Sequence, residues 1–147
     1  TATQMAPVRN NFRNTFSYSV SNIKNYSRED FSTALASDKL IYMHGEDCTS
    51  SDEVFAHDWV VDGNLILRIT TTMWRKLVSE DEWHLEDQNT TQQKYIHINW
   101  GWYGCFNGYF STNVLTTNRG YTNDNPNISS SDIHTFNSGL SYFEVKH

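Results

Sequence analysis

The sequence predicts an α+β domain: two short helices, then about six antiparallel strands forming a bent sheet or half-barrel. Three observations lead there. Helical periodicity is confined to the residues before Lys39, the remainder is β-prone, and the helices are too few for βαβ alternation. A length of 147 residues suits a single domain, 1–147, large enough to bury a core.

Each element follows from a local pattern. Residues 4–16, QMAPVRNNFRNTF, place Val8, Phe12 and Phe16 four apart with Pro7 near the start, the spacing of a short amphipathic helix. In YSREDFSTALAS, Ser27 with Asp30 resembles a capping box, Glu29 and Asp30 suit a helix N-terminus, and Phe31, Ala34 and Leu35 share one face. Residues 39–45, KLIYMHG, read as a compact strand. Residues 56–63, AHDWVVDG, read as another that ends in the turn signal Asp62-Gly63, with a hairpin to follow. Residues 64–78 and 94–100 are β-prone runs, and the acidic, polar 79–93 between them reads as an exposed loop. GYFST and LSYFEV supply the last strands. Residues 116–139, rich in Asn, Ser and Thr, read as a long loop between those two.

Composition excludes several classes. Aromatic residues reach 14% while Pro is only 2 and Gly 7, so the chain is neither low-complexity nor linker-like. A net charge of −6 and pI near 5.4 leave no basic face for phosphates, which disfavours nucleic acid and anionic lipid as partners. No apolar run approaches the ~18 to 20 residues of a membrane span. Cys48 and Cys105 lack the spacing of zinc or redox sites and read equally well as free thiols or one bridge. His44, His84 and His97 carry no metal-binding spacing, so neither metal nor cofactor is expected. Sequons at Asn25, Asn89 and Asn127 matter only for a eukaryotic secreted chain.

The densest chemistry lies in residues 97–110, HINWGWYGCFNGYF, and in residues 55–64, FAHDWVVDGN, ahead of it. The Asn-Trp-Gly-Trp core followed by Asn-Gly-Tyr-Phe resembles the C-terminal signature of papain-like cysteine peptidases, and more closely the streptopain family of bacterial secreted enzymes. FAHDWVVDGN resembles that family's His-bearing strand. SREDFSTALASDKLIYMHG resembles its helix and strand, and NNFRNTFSYSV its segment ending in Phe-Gly-Tyr-Ser. The resemblance runs from about residue 8 to 111.

The resemblance implies the β-rich half of a papain-like cysteine proteinase fold and a secreted or cell-surface location. It also assigns roles. A cysteine nucleophile works as a thiolate, so an imidazole must take its proton and a third group must fix that ring's tautomer. His57 is the implied base, and Asn99 or the Trp100 indole its orienting group. Strand alternation sends Asn99 and Trp100 to opposite faces, so only one faces His57. Trp102 and Gly101 are the implied substrate-binding wall, with Gly101 and Gly104 permitting a tight turn.

The departures from the family pattern are equally specific. The family's nucleophile lies on an upstream helix, whereas no cysteine precedes Cys48 here. Cys48 sits among Glu46, Asp47 and Asp52, where negative charge opposes a thiolate. Cys105 follows the turn and reads as packed. Asp58 adjoins His57, although on a strand it points to the other side. The chain begins at Thr1 with neither Met nor a leader, which reads as a processed or cut chain.

Two functions stay open. One is the C-terminal part of a cysteine endopeptidase that acts on polypeptide, inactive alone, whose missing N-terminal helical half is a partner. The other is a non-catalytic peptidase-like or aromatic-rich β module that binds peptide or carbohydrate. The first predicts an uncovered apolar face near His57, Trp100 and Trp102 through which the chain self-associates.

Overall fold

A computed structural model describes residues 2–49, 53–111, 115–117, 119–120, 122–123 and 133–146. Helix α1 spans Ala2–Asn14 and α2 spans Arg28–Leu35. The strands are β1 (Ser19–Val20), β2 (Lys24–Asn25), β3 (Leu40–Asp47), β4 (Phe55–Arg75), β5 (His84–Asn99), β6 (Gly108–Ser111), β7 (Thr122–Asn123) and β8 (Ser138–Lys146). They form one antiparallel sheet in the order β1-β8-β3-β4-β5-β6-β7, with β2 also pairing β8. An antiparallel, sheet-rich chain with few short helices is thus what the sequence predicts at the level of class.

Strand alternation divides the core between the two faces of the sheet. One face gathers Ile41 and Met43 of β3, Trp59 and Val61 of β4, and Ile96 and Ile98 of β5, with Phe31 and Ala34 of α2 closing over them. The other is smaller. There Met5 of α1 packs with Phe143 and Val145 of β8, and Phe12 meets Tyr42 and Phe143 edge-on at 6.1 and 6.0 Å. Glu144 of β8 anchors the sheet's edge with ion pairs to Lys24 at 2.6 Å and Lys39 at 2.7 Å.

Four expectations are corrected. The first helix ends at Asn14, so Phe16 falls past it and is 62% exposed, and Pro7 lies inside the helix. The Thr15 and Phe16 amides both return to the Asn11 oxygen, closing the helix ahead of Phe16, and Ser17, at φ 58°, then turns the chain.

Asp62-Gly63 does not end a strand, because β4 runs through it for 21 residues. The register against β5 shifts between Val61 and Gly63, so the dipeptide forms a β-bulge and not a hairpin turn.

The predicted loop 79–93 is mostly strand, since β5 begins at His84. Its Thr, Asn and Gln side chains need no alternation, because this part of the hairpin is exposed on both faces.

The predicted loop 116–139 contributes to the sheet and core. Thr116 bridges Thr135, Phe136 is buried, and β8 starts at Ser138. Asn127 and Asp52 lie outside the described residues.

Among the described residues, β4 beyond Val61 pairs only with β5, and from Lys94 down to His84 β5 pairs only with β4. Ile66↔Lys94 through Arg75↔His84 is therefore a two-stranded arm, roughly 30 Å long at ~3.3 Å per residue.

Candidate active site

His57 sits near the start of β4, opposite Gly45 of β3. Gly45 is required there by space. A Cβ at that position would lie 2.6 Å from Cη2 of Trp59 and 2.8 Å from Cδ2 of Leu140. Alternation puts His57 on the same face as Trp59, at the rim of the larger core.

The Trp100 segment reaches it from the end of β5. The Nε2 of His57 lies 2.6 Å from the backbone oxygen of Trp100. A carbonyl can only accept, so Nε2 carries the proton and donates it, and in the neutral ring Nδ1 is the remaining acceptor. Burial pushes the His57 pKa below the usual histidine value, outweighing the Trp100 hydrogen bond and the charge of Asp58, which favour the protonated ring. Burial therefore favours the neutral ring.

A tight turn presents that carbonyl. β5 stops at Asn99, and the backbone then takes positive φ at Gly101 (77°), Tyr103 (53°), Gly104 (84°) and Phe106 (62°). Two side chains hold the turn. The Asn107 Oδ1 accepts the Trp100 amide at 2.9 Å in a buried hydrogen bond, and the Asn99 Oδ1 accepts the Gly101 amide at 3.0 Å. Asn99 is exposed and its amide is engaged in the turn.

The Trp100 ring points into the core, fully buried against Trp59 at 4.9 Å and Phe136 at 5.3 Å. Neither group expected to orient His57, the Asn99 side chain or the Trp100 indole, makes that contact. The Trp100 main chain makes it instead.

Aromatic rings wall the imidazole. The half-buried Trp102 lies over His57 at 4.4 Å, and Phe55 and Phe136 stand at 6.2 and 6.1 Å. Phe55 stacks in turn on His134 at 3.9 Å and 10°. The Nδ1 of His134 is 3.2 Å from the buried Asp47 carboxylate, which also accepts the Thr135 amide and the Thr49 amide and hydroxyl. Burial alone would raise the Asp47 pKa, but these hydrogen bonds outweigh it and hold the carboxyl below the usual aspartate range.

Sequence reasoning missed Asn107, His134 and Phe136. Asn107 was visible within the Asn-Gly-Tyr-Phe signature, whereas the polar stretch around His134 offers no signal.

Asp58 turns to the opposite face, as alternation requires. Its carboxylate meets the Nδ1 of buried His44 at 2.6 Å and accepts the Tyr42 hydroxyl at 3.1 Å. Burial, together with the Asp58 charge and hydrogen bond, pushes the Tyr42 pKa up. An open depression of about 270 Å³ is lined by His44, Ala56, His57 and Asp58.

Of the rings near His57, Trp100 is enclosed and Phe55 is exposed. Cys48 and Cys105 are unbridged. Cys48 is exposed in the loop after β3, and Cys105 packs against the core. Among the described residues no group of three or more His, Cys, Asp or Glu is placed to hold a metal, and no helix is long and apolar enough to cross a membrane.

The site thus joins a β-strand histidine to the backbone of a neighbouring Trp segment. The sequence model of the Peptidase C10 family matches residues 1–110. The chain belongs to that family, the streptopain family of cysteine peptidases. No curated protein and no solved structure matches it.

Proposed function

We propose that the chain is the His-bearing, β-rich part of a secreted papain-like cysteine endopeptidase, with His57 as its general base. The observation that carries this is the 2.6 Å contact of the His57 Nε2 with the Trp100 oxygen. It leaves Nδ1 to take a thiol proton, and burial keeps the ring unprotonated until it does so. Trp100 acts through its main-chain oxygen, and Asn99 acts through the turn that presents it. Trp102 and Gly101 form the wall against which a polypeptide substrate lies.

The nucleophile belongs to a helical part outside this chain, which packs on the His57 side of the sheet. Neither cysteine present here hydrogen-bonds to His57 among the described residues, and Cys105 is committed to the core.

The test compares this chain with the product of its complete reading frame. This chain alone leaves casein intact. The complete product cleaves it, a vinyl-sulfone inhibitor labels a cysteine other than Cys48 or Cys105, and His57→Ala lowers turnover by about 10²- to 10⁴-fold. Full activity in His57→Ala, or stoichiometric labelling of Cys48, overturns the assignment. A complete product inert toward peptides and inhibitor points to the non-catalytic module that binds peptide or carbohydrate.

A further inference from the structure

His134 and Asp47 form a pair to which the peptidase reading assigns no role. Asp47 is buried, and each of its carboxylate oxygens is engaged twice: Oδ1 accepts the Thr49 amide at 2.9 Å and hydroxyl at 2.6 Å, while Oδ2 accepts the Thr135 amide at 3.0 Å and meets the His134 Nδ1 at 3.2 Å. These bonds favour the ionised carboxylate, which can only accept, so Nδ1 of His134 carries a proton. In the neutral ring the lone pair then lies on Nε2. That atom is turned away from Asp47, and no described residue donates to it.

The rest of His134 is fixed. Its amide donates to the Thr117 hydroxyl at 3.1 Å, its carbonyl accepts the Thr117 amide at 3.0 Å, and its ring stacks on Phe55 at 3.9 Å. It also shares the wall of His57. Trp102 stands 4.4 Å from the His57 ring and 6.0 Å from that of His134, and Phe136 stands 6.1 and 6.0 Å from the same two rings. The His134 side chain still keeps 24% of its surface exposed. An acceptor locked in one orientation among apolar rings loses little freedom when it bonds, and little water competes for it.

We propose that His134 is a substrate-contact residue whose Nε2 accepts a hydrogen bond from a main-chain N–H of the polypeptide lying against the Trp102 wall. This rests on the peptidase reading and adds to it a fixed point for the substrate backbone. Every residue of a polypeptide except Pro carries such a donor, so the contact sets the register of the chain beside His57 and does not select a side chain. The two histidines divide the work by tautomer. His57 donates from Nε2 and keeps Nδ1 for the thiol proton, whereas His134 donates from Nδ1 and keeps Nε2 for the substrate.

Two measurements test this. In this chain, nitrogen NMR finds His134 as the Nδ1-protonated tautomer and His57 as the Nε2-protonated one. In the product of the complete reading frame, His134→Phe, which keeps a ring on Phe55, raises KM for a peptide about 3- to 10-fold with kcat held within about twofold. His134→Gln, whose amide oxygen can stand near the place of Nε2, recovers part of that loss. Replacing one non-scissile substrate amide by an ester removes a single N–H; at one position this raises the wild-type KM by a similar factor and leaves that of His134→Phe unchanged, a coupling that a packing role would not produce. An Nε2-protonated His134, an unaltered KM in His134→Phe, a loss confined to kcat, or ester penalties that persist in the variant each overturns the proposal and leaves His57 as the base. A complete product that cleaves no peptide overturns the peptidase reading and this proposal with it.

Discussion

Gly45 faces His57 across the β3–β4 pair, and the Trp59 ring fills the space that a side chain at position 45 would need. Gly45→Ala places a methyl 2.6 Å from an indole carbon in a packed core, closer than real contacts allow. The expected cost is about 1–3 kcal/mol of unfolding free energy, the range for overpacked interiors. Urea denaturation measures it, and an unchanged midpoint would mean that Trp59 yields freely.

Asn107 acts on the same site from the other side. Asn107→Ala removes the acceptor of the buried Trp100 amide and leaves that donor unpaired, at about 1–3 kcal/mol. Because this bond holds the turn whose carbonyl meets His57, the variant also shifts the His57 ring resonances. Stability loss with unaltered imidazole signals would separate the turn from the histidine.

The His57 titration has a defined sign. Nitrogen NMR should show the Nε2-protonated tautomer and a pKa below the usual 6.5, because burial disfavours the charged ring. Trp102→Ala exposes the ring to water and brings the value back up. A wild-type value at or above 6.5 contradicts the burial account.

Acid should weaken the fold in two windows. For His57 the folded pKa is the lower one, so the unfolded chain binds more protons and stability declines as pH falls below 6.5. Glu144 is subject to burial, which raises its pKa, but Lys24 and Lys39 outweigh that and hold it below the usual 4.5; hydrogen bonds likewise hold Asp47 below 3.8. Their stabilisation is present above those unfolded values and is lost as pH falls through the lower folded ones. Glu144→Gln should remove most of its share of the second decline and leave the first intact, as thermal melts across pH would show.

The pairing of His57 with the Asn99–Trp100 segment was legible because both segments are short motifs on strands, where residue identity and period-two alternation are local properties. Alternation also placed Asp58 on the far face, where it binds His44. It could not say where β5 ends. The strand stops at Asn99, and that one boundary makes Trp100 a main-chain acceptor in place of an indole or an amide.

Asp62-Gly63 shows the same limit from the other direction. The dipeptide encodes a departure from regular strand, but whether it closes a hairpin or forms a bulge depends on how far β5 extends beside it.

The sequence by itself determined the sheet-rich class and the family, because these rest on residue types at fixed local spacing. Only the tertiary structure decided that His134 and Phe136 return from a featureless polar stretch to complete the wall around Phe55 and His57, and that the arm leaves the body. Those are contacts between distant segments, selected by the burial of rings and the pairing of strands. Such long-range energies leave no periodic trace in either partner alone.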